Sequence, residues 1–183
     1  MNFRNVNVLV VGDIMLDQFW IGTCNRISPE APIPVVLHKE TSSKPGGAGN
    51  VAMNIAKLGA KVKIIGCVGE DEASKELIKL FDENNIDSVL ISSPKAVTTR
   101  KLRILASNHH LLRVDNESEI PDECIENLFQ VFKESINGIN IIIFSDYAKG
   151  TLKNIEQLIK YAKDNNIIVI VDPKGSSFVK YSN

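Results

Sequence analysis

Paired cysteines, long apolar runs and an excess of charge of either sign are all missing from this sequence of 183 residues. Its 21 Lys and Arg are balanced by 22 Asp and Glu, and no block of like charges stands out, so it has no electrostatic footprint for nucleic acid or for an anionic membrane. No stretch approaches the roughly 18 consecutive apolar residues of a membrane-spanning helix, and no long apolar signal region opens the chain. We therefore expect neither nucleic acid nor a membrane as a partner.

The three cysteines, Cys24, Cys67 and Cys124, lie far apart and form no Cys-x-x-Cys pair. An odd number at such spacings argues against both a disulfide framework and a zinc site. We expect no metal ligands in this chain and a reducing compartment, the cytoplasm. With 44% hydrophobic residues, the chain is long enough to bury one substantial core.

Short β-branched runs alternate with amphipathic helical patterns, which is typical of an α/β protein with a parallel sheet. Apolar runs too short for a helix predict strands that are buried on both faces, and apolar residues three and four apart predict helices. The predicted strands are 6–11, 61–68, 140–144 and 167–171, and the predicted helices are 51–58, 72–84, 121–136 and 151–164.

Two segments do not fit this alternation. Residues 19–40 contain three prolines within six positions, which forbid a helix and favour an extended, edge-type chain. Residues 86–115 are irregular and hold short β-like pieces that predict a hairpin. In its first strand Lys101 and Arg103 alternate with apolar residues, so both cations lie on one face, for which a solvated basic surface is the simpler interpretation.

Three glycines and an asparagine, Gly46 to Asn50, stand immediately before a predicted helix. Such a backbone lets N–H groups approach a ligand closely, at the partially positive end of the helix. A simple helix cap, a dinucleotide-binding turn and a sugar or phosphate cradle are the three competing interpretations. Gly47, Gly49 and Ala52 fit G-x-G-x-x-A, but a dinucleotide turn should follow the first strand directly, and here two aspartates do.

Three of the predicted strands end in an aspartate, namely Asp13, Asp146 and Asp172. Ligands of open α/β sheets bind at the carboxyl ends of the strands, so the three are expected to meet at one site. Asp17 comes four residues after Asp13, and both are expected just past the carboxyl end of the first strand. For Asp13 or Asp17 alone, a capping role in a turn is the simpler interpretation.

The segment Gly46–Ala52, with Gly59 and Gly69 behind it, resembles the first signature of the PfkB/ribokinase family of sugar kinases. Within that family the sequence resembles the heptose 7-phosphate kinase domains over essentially its whole length. The motifs that agree in order and spacing are 8–17, 26–32, 45–48, 111–115, 145–150 and 172–175.

This resemblance implies a ribokinase-like, Rossmann-type α/β fold, a layered sheet flanked by helices with a small β-lid. It implies ATP-dependent phosphorylation of D-glycero-β-D-manno-heptose 7-phosphate at O1, giving the 1,7-bisphosphate for ADP-heptose and the lipopolysaccharide core. ATP and Mg²⁺ are the implied cofactors, and a homodimer formed through the lid is the implied assembly. A sugar kinase of another specificity and a non-catalytic sugar-binding or dimerisation module remain the alternatives.

The resemblance also assigns the site. Carboxylates and backbone amides suit a polyol, and cations suit the 7-phosphate, for which Lys101, Arg103 and Lys149 are the candidates. The candidate substrate-binding residues are Asp13, Asp17, Gly46, Gly47, Asn50, Lys101, Arg103, Asp146 and Lys149, and the candidate nucleotide-side residues are Asp172 and Lys174.

One part of the family pattern is missing. The Asn-x-x-Glu element linked to Mg²⁺ and the Gly-Ala-Gly-Asp signature, which carries the catalytic base and anion hole, follow the Asp-Pro-Lys-Gly segment in the family, whereas this sequence stops at Asn183. We expect the C-terminal portion of the fold and the catalytic residue to be absent, and this chain alone to have little kinase activity. The expected organisation is one incomplete kinase domain over 1–183, with core segments 1–18, 45–85 and 118–183 and lid segments at about 19–40 and 95–115.

Overall fold

Two β-sheets and four α-helices form the part of the chain that the computed structural model describes, residues 3–107, 109–175 and 178–182. A 3-10 turn at Val179–Tyr181 follows the last strand. The strands are β1 (Asn7–Gly12), β2 (Ile14–Ile27), β3 (Pro34–Gly47), β4 (Lys61–Gly69), β5 (Ile86–Ser93), β6 (Arg100–Ala106), β7 (His109–Asn116), β8 (Ile141–Ser145) and β9 (Ile168–Asp172), and the helices are α1 (Ala48–Lys57), α2 (Glu72–Asp82), α3 (Asp122–Ser135) and α4 (Ile155–Asp164).

The first sheet has five parallel strands in the order β5-β4-β1-β8-β9. Its β-branched runs are buried on both faces, because Leu9 and Val11 of β1 pack towards α3 and α4 while Val8 and Val10 pack towards α1 and α2. The chain moves outward from β1 to β5 and then returns to the other side of β1. The strand order therefore reverses between β1 and β8, the position at which ligands bind in open α/β sheets.

One part of this sheet is covered less than the rest. Ile168 and Ile170 of the edge strand β9 are 62% and 48% exposed, whereas Val169 and Val171 pack onto the core beneath α4. Parallel sheets are normally covered on both faces. The exposed isoleucines therefore mark an apolar sheet face without a helix over it in the described part of the chain.

The second sheet has four strands in the order β3-β2-β6-β7. Strand β2 pairs antiparallel with β3 and parallel with β6, and β6 and β7 form the predicted hairpin. Strand β2 begins directly after Asp13, and β3 ends at Gly47, so both long strands leave the first sheet at its carboxyl edge. The sheet thus includes residues 14–18 and 41–47, beyond the segments 19–40 and 95–115 that the sequence assigned to a lid.

Four details of the sequence prediction are wrong. Ile86–Ser93 is not irregular but forms β5, because it pairs in parallel with β4 and packs its apolar residues onto the core. Asp17 lies within β2 instead of a loop after a strand. Helix α1 begins at Ala48, three residues early, and α4 begins at Ile155 because a turn precedes it.

Asp71 connects helix α2 to the segment that leads into β6 of the second sheet. It is the N-cap of α2, where its carboxylate accepts hydrogen bonds from the N–H groups of Ser74 (3.0 Å) and Thr98 (2.8 Å), and Ser74 completes a capping box. Burial opposes its ionisation, but these N–H groups hold the pKa of Asp71 below its ordinary value of 3.8. The connection into β6 is therefore anchored to a helix of the core.

All three cysteines are free thiols. Cys67 and Cys124 are buried, and burial raises the pKa of both thiols above the ordinary value of 9.0, so they remain protonated at neutral pH. In the described ranges, no helix combines the length and the apolar character that crossing a membrane requires.

Candidate functional site

The three strand-end aspartates lie on adjacent strands at the carboxyl edge of the parallel sheet. Asp13 follows β1, and its N–H donates to the carbonyl of Ser145 at the end of β8 (3.2 Å). Asp146 follows β8, and its N–H donates to the carbonyl of Asp172 at the end of β9 (3.0 Å). Their backbones are therefore adjacent, but their carboxylates have different surroundings.

Asp13 is buried, with 2% of its surface exposed. Its carboxylate accepts three backbone hydrogen bonds, from the N–H groups of Tyr147 (2.8 Å), Lys149 (3.0 Å) and Thr151 (3.1 Å). Its own carbonyl accepts the N–H of Ala48, the first residue of α1 (2.9 Å). Asp13 therefore joins the loop after β8 to the glycine turn before α1.

The glycine turn is packed directly against two aspartates. Gly47 is the N-cap of α1 with φ of 55°, and a Cβ at this position would lie closer than 3.0 Å to the Asp13 carbonyl oxygen. A Cβ at Gly46 would lie 2.5 Å from Oδ2 of Asp17. No side chain caps α1, and Asn50 is exposed in its first turn. Glycine is therefore required at positions 46 and 47, because Asp17 and the Asp13 carbonyl approach the backbone too closely for a Cβ. Asp17 thus lies beside the start of α1.

Charged residues are aligned across one face of the second sheet. One row of register partners runs Lys44, Asp17, Lys101 and Asp115, so that its charges alternate from strand to strand. The adjacent row on the same face runs Ser42, Phe19, Arg103 and Arg113. The face carries more positive than negative charge, although like charges directly opposite each other are unfavourable in a sheet.

Each of the three candidate phosphate-binding cations has a carboxylate partner. Lys101 Nζ lies 3.1 Å from Asp115, Arg103 Nη1 lies 2.5 Å from Asp17, and Lys149 Nζ lies 2.6 Å from Glu117. These cations lie on two different elements, the hairpin and the loop after β8. An incoming phosphate would therefore have to compete with these carboxylates for the cations.

Asp146 is also buried, with 5% of its surface exposed. One carboxylate oxygen accepts the N–H of Ala148 (2.7 Å), and the other accepts from Lys180 Nζ and the Tyr181 hydroxyl (both 2.7 Å). Burial opposes ionisation, but the hydrogen bonds from Lys180, Tyr181 and Ala148 lower the pKa of Asp146 below 3.8. The Tyr181 hydroxyl in turn accepts the N–H of Lys174 (3.3 Å), so Asp146 holds the segment after β9.

The structure thus groups the residues that the sequence singled out. Asp17, Gly46, Gly47, Asn50, Lys101 and Arg103 lie around the glycine turn and the charged sheet face. Asp13 connects them to Lys149, and Asp146 connects the loop after β8 to Lys174. Asp172 and Lys174 are exposed at the end of β9.

Several residues at the site were missed by the sequence reasoning. Tyr147 is half-buried, and burial together with the negative charges of Asp172 and Asp17 raises the pKa of its hydroxyl above 10.0. The rule that ligands bind at the carboxyl ends of strands identified Asp146 but not the adjacent Tyr147. The other missed residues become visible only through strand register or folded contacts, and they are Lys44, Arg113, Glu117, Lys180 and Tyr181.

Within residues 3–107, 109–175 and 178–182, no group of three or more His, Cys, Asp or Glu side chains could hold a metal ion. A groove of about 470 Å³ lies at the opposite, amino-terminal edge of the parallel sheet, lined among others by Asn7, Lys61 and Asn85. It includes none of the strand-end aspartates or glycine-turn residues, so we do not connect it with the site described above.

Comparison with known proteins identifies the family. A model described as "pfkB family carbohydrate kinase" matches residues 5–183. The chain therefore belongs to the PfkB family of carbohydrate kinases. It is 43% identical over 180 residues to the bifunctional protein HldE of Proteus mirabilis, and 41% identical over 179 residues to HldE of Haemophilus influenzae. Each alignment covers 98% of this chain and 38% of HldE, so the chain spans well under half the length of these relatives.

Solved structures confirm the ribokinase-like fold. Phosphofructokinase-2 from Escherichia coli in complex with fructose-6-phosphate superposes with a TM-score of 0.73 at 23% identity, covering 96% of this chain and 56% of that one. Ribokinase from Arabidopsis thaliana, complexed with ribose and ATP, has a TM-score of 0.64 at 18% identity and covers 93% and 54%. The dinucleotide interpretation of the glycine turn is wrong, because the turn follows β3 of the second sheet instead of β1.

Proposed function

We propose that this chain is the sugar-binding part of a kinase that phosphorylates D-glycero-β-D-manno-heptose 7-phosphate at O1, giving the 1,7-bisphosphate for ADP-heptose and the lipopolysaccharide core. The observation that carries the proposal is the contact between Asp17 and the glycine turn at the start of α1. The 43% identity to HldE favours heptose 7-phosphate among the sugars of the family.

Asp17, the glycine turn and Asn50 would bind the sugar hydroxyls. The Asp17 side chain is 17% exposed, so its carboxylate can still be reached by a ligand, and it can accept hydrogen bonds from two hydroxyls. Backbone N–H groups at the start of α1 can donate hydrogen bonds to sugar oxygens. The side-chain amide of Asn50 can both donate and accept. A polyol needs this mixture of donors and acceptors for a fixed orientation.

The charged face of the second sheet is the proposed position of the 7-phosphate. Arg103 and Arg113 are direct register partners, and an anion between them would remove the repulsion of two like charges. Arg103 Cζ also lies 5.3 Å from the centre of the Phe19 ring, which restricts its guanidinium. Lys101 and Lys149 add charge once their carboxylate partners are displaced. The second sheet would then act as a lid over the sugar.

ATP and Mg²⁺ are proposed as cofactors from family membership. When bound, MgATP supplies the phosphoryl group and neutralises its developing charge. Asp172 and Lys174 are the residues of this chain that we place on the nucleotide side.

We expect this chain to bind heptose 7-phosphate without turning it over. Calorimetry should detect binding of heptose 7-phosphate to this chain. A coupled assay with ATP and Mg²⁺ should show no phosphorylated product above background. Turnover at the rate of about 1–100 s⁻¹ that is usual for kinases would contradict the expected inactivity. Absence of binding to this sugar phosphate, with binding to fructose 6-phosphate instead, would show a family member of another specificity.

A homodimer formed through the second sheet is the second proposal, in a protein that we place in the cytoplasm. The face opposite the charged rows carries exposed apolar side chains. Trp20 and Leu112 lie in one row through Ile104, and they are 42% and 56% exposed. Next to them Val114 is 46% exposed. Contiguous exposed apolar surface of this kind is typical of an interface.

Sedimentation equilibrium would test the dimer. We expect a dimer at micromolar concentration and a monomer for Leu112→Asp, because a buried carboxylate without a partner is unfavourable at an interface. Leu58→Asp is the matched control, since Leu58 is 63% exposed at the end of α1, away from this face. A wild-type protein that stays monomeric, or equal effects of both substitutions, would contradict the proposed interface.

A further inference from the structure

Asp13 contacts two segments of the site with two different groups. Its carbonyl accepts the N–H of Ala48 at the glycine turn, and its carboxylate accepts three N–H groups of the loop after β8, which includes Lys149. The first segment carries the proposed hydroxyl-binding groups. The second carries one of the proposed phosphate-binding cations.

We propose that Asp13 is a positioning residue, which holds the backbone of Lys149 at a set distance from the glycine turn before the ligand arrives. This inference rests on the proposed function and deepens it, because it assigns to Asp13 a role in recognising the phosphate of a sugar phosphate through Lys149. Asp13 itself does not touch the ligand.

The surroundings of the carboxylate favour this role over direct sugar binding. An ionised carboxylate only accepts hydrogen bonds, and three backbone N–H groups at 2.8–3.1 Å already point at its two oxygens. The residue is 2% exposed, whereas the Asp17 side chain is 17% exposed. The three donors leave at most about one acceptor position on this carboxylate, and the burial of Asp13 restricts the access of a sugar hydroxyl to it.

The loop has a backbone that needs such an anchor. Ala148, between two of the N–H groups that Asp13 binds, has φ of 57°, a left-handed conformation that is unfavourable for a residue with a Cβ. Such conformations persist where the surrounding structure holds them. With the backbone of Lys149 fixed, its Nζ reaches Glu117, directly after β7, at 2.6 Å. Asp13 therefore fixes the backbone from which this side chain extends, and Glu117 holds its ammonium group.

Asp13→Asn tests the inference, because asparagine offers one acceptor oxygen and turns an N–H₂ group towards the backbone donors. Dissociation constants would be measured by calorimetry for heptose 7-phosphate and for the unphosphorylated heptose. We expect about tenfold weaker binding of the sugar phosphate, the effect of misplacing one charge-assisted contact, and less than about threefold change for the unphosphorylated sugar. Asp87→Asn, with the same charge change at the opposite edge of the sheet, should alter neither.

A double substitution separates positioning from a general loss of structure. If Asp13 acts through Lys149, Asp13→Asn should cause no further loss of phosphate affinity in a Lys149→Ala background. Additive losses, or equal losses for both ligands, would overturn the inference. If the wild-type chain binds neither sugar, the proposed function fails.

Hydrogen exchange of the wild-type protein gives a measurement that does not depend on a variant. The amides of Tyr147, Lys149 and Thr151 should already be protected without ligand, because Asp13 holds them in the free protein. Protection that appears only after ligand is added would overturn the inference even if Asp13→Asn does not fold. The same experiment tests the role of Asp13 separately from sugar binding.

Discussion

Gly47→Val is expected to lower the free energy of unfolding by about 4 kcal/mol or more, one of the largest effects available to a single substitution. A β-branched residue is strongly disfavoured at the φ of 55° that Gly47 adopts. In addition, its Cβ would clash with the carbonyl of Asp13 and would lie 2.9 Å from the Met15 side chain. The Asp13 carbonyl cannot move freely, because it accepts the first N–H of α1. Urea unfolding followed by circular dichroism would measure the change.

Gly138→Val is the matched control for backbone strain. Gly138 also has a positive φ, 75°, but a Cβ there would meet nothing within 4 Å. We expect a cost of about 1–3 kcal/mol from its conformation alone. If Gly47→Val and Gly138→Val lower the free energy of unfolding equally, the close contact between the glycine turn and Asp13 would be disproved.

Asp17→Ala is expected to weaken binding of the sugar at least about 100-fold, because hydrogen bonds to a charged group contribute about 1.5–3 kcal/mol each and Asp17 can accept two. Unphosphorylated heptose should lose at least as much affinity as heptose 7-phosphate, since the carboxylate contacts hydroxyls and its removal also frees Arg103 for the phosphate. This differs from Asp13→Asn, for which the loss should be confined to the phosphorylated ligand. Calorimetry with both ligands would distinguish the two aspartates.

Asp122→Ala is the control for the removal of a carboxylate. Asp122 begins α3, where its side chain is 79% exposed and pairs with Lys153 on the surface. We expect less than about a twofold change in sugar affinity, as is usual for an exposed ion pair away from a site. A change below threefold for Asp17→Ala as well would exclude Asp17 as a sugar ligand.

The alternation of elements was predictable because the signals that define it are local. The apolar run of β1 and the spacing of Leu77 and Phe81 in α2 lie within single segments, and both elements are confirmed. Ile86–Ser93 was missed as β5 because Asp87, Ser88, Ser92 and Ser93 interrupt its apolar pattern. Its strand is defined by pairing with β4, which no local pattern encodes.

The positions of several candidate site residues were predictable from the sequence, but their contacts were not. The strand-end rule placed Asp13 and Asp146 at the correct edge of the sheet. It could not show that both carboxylates are buried and bound to neighbouring loops, because their partners other than Ala148 are 34 to 138 residues away in the chain. The motif at Gly46 and Gly47 indicated a close backbone approach, but the groups that approach came from β2 and the residue before it.

The sequence by itself determined the fold class, the edge of the sheet at which the strand-end aspartates lie and the glycine turn, because periodicity, strand ends and glycine content are properties of short segments. Only the tertiary structure decided which charges face each other. Strand register places Lys101 against Asp115 and Arg103 against Arg113, and burial separates Asp13, which holds a loop, from Asp17, which remains accessible. These choices depend on contacts between distant parts of the chain, so they exist only after the two sheets have formed.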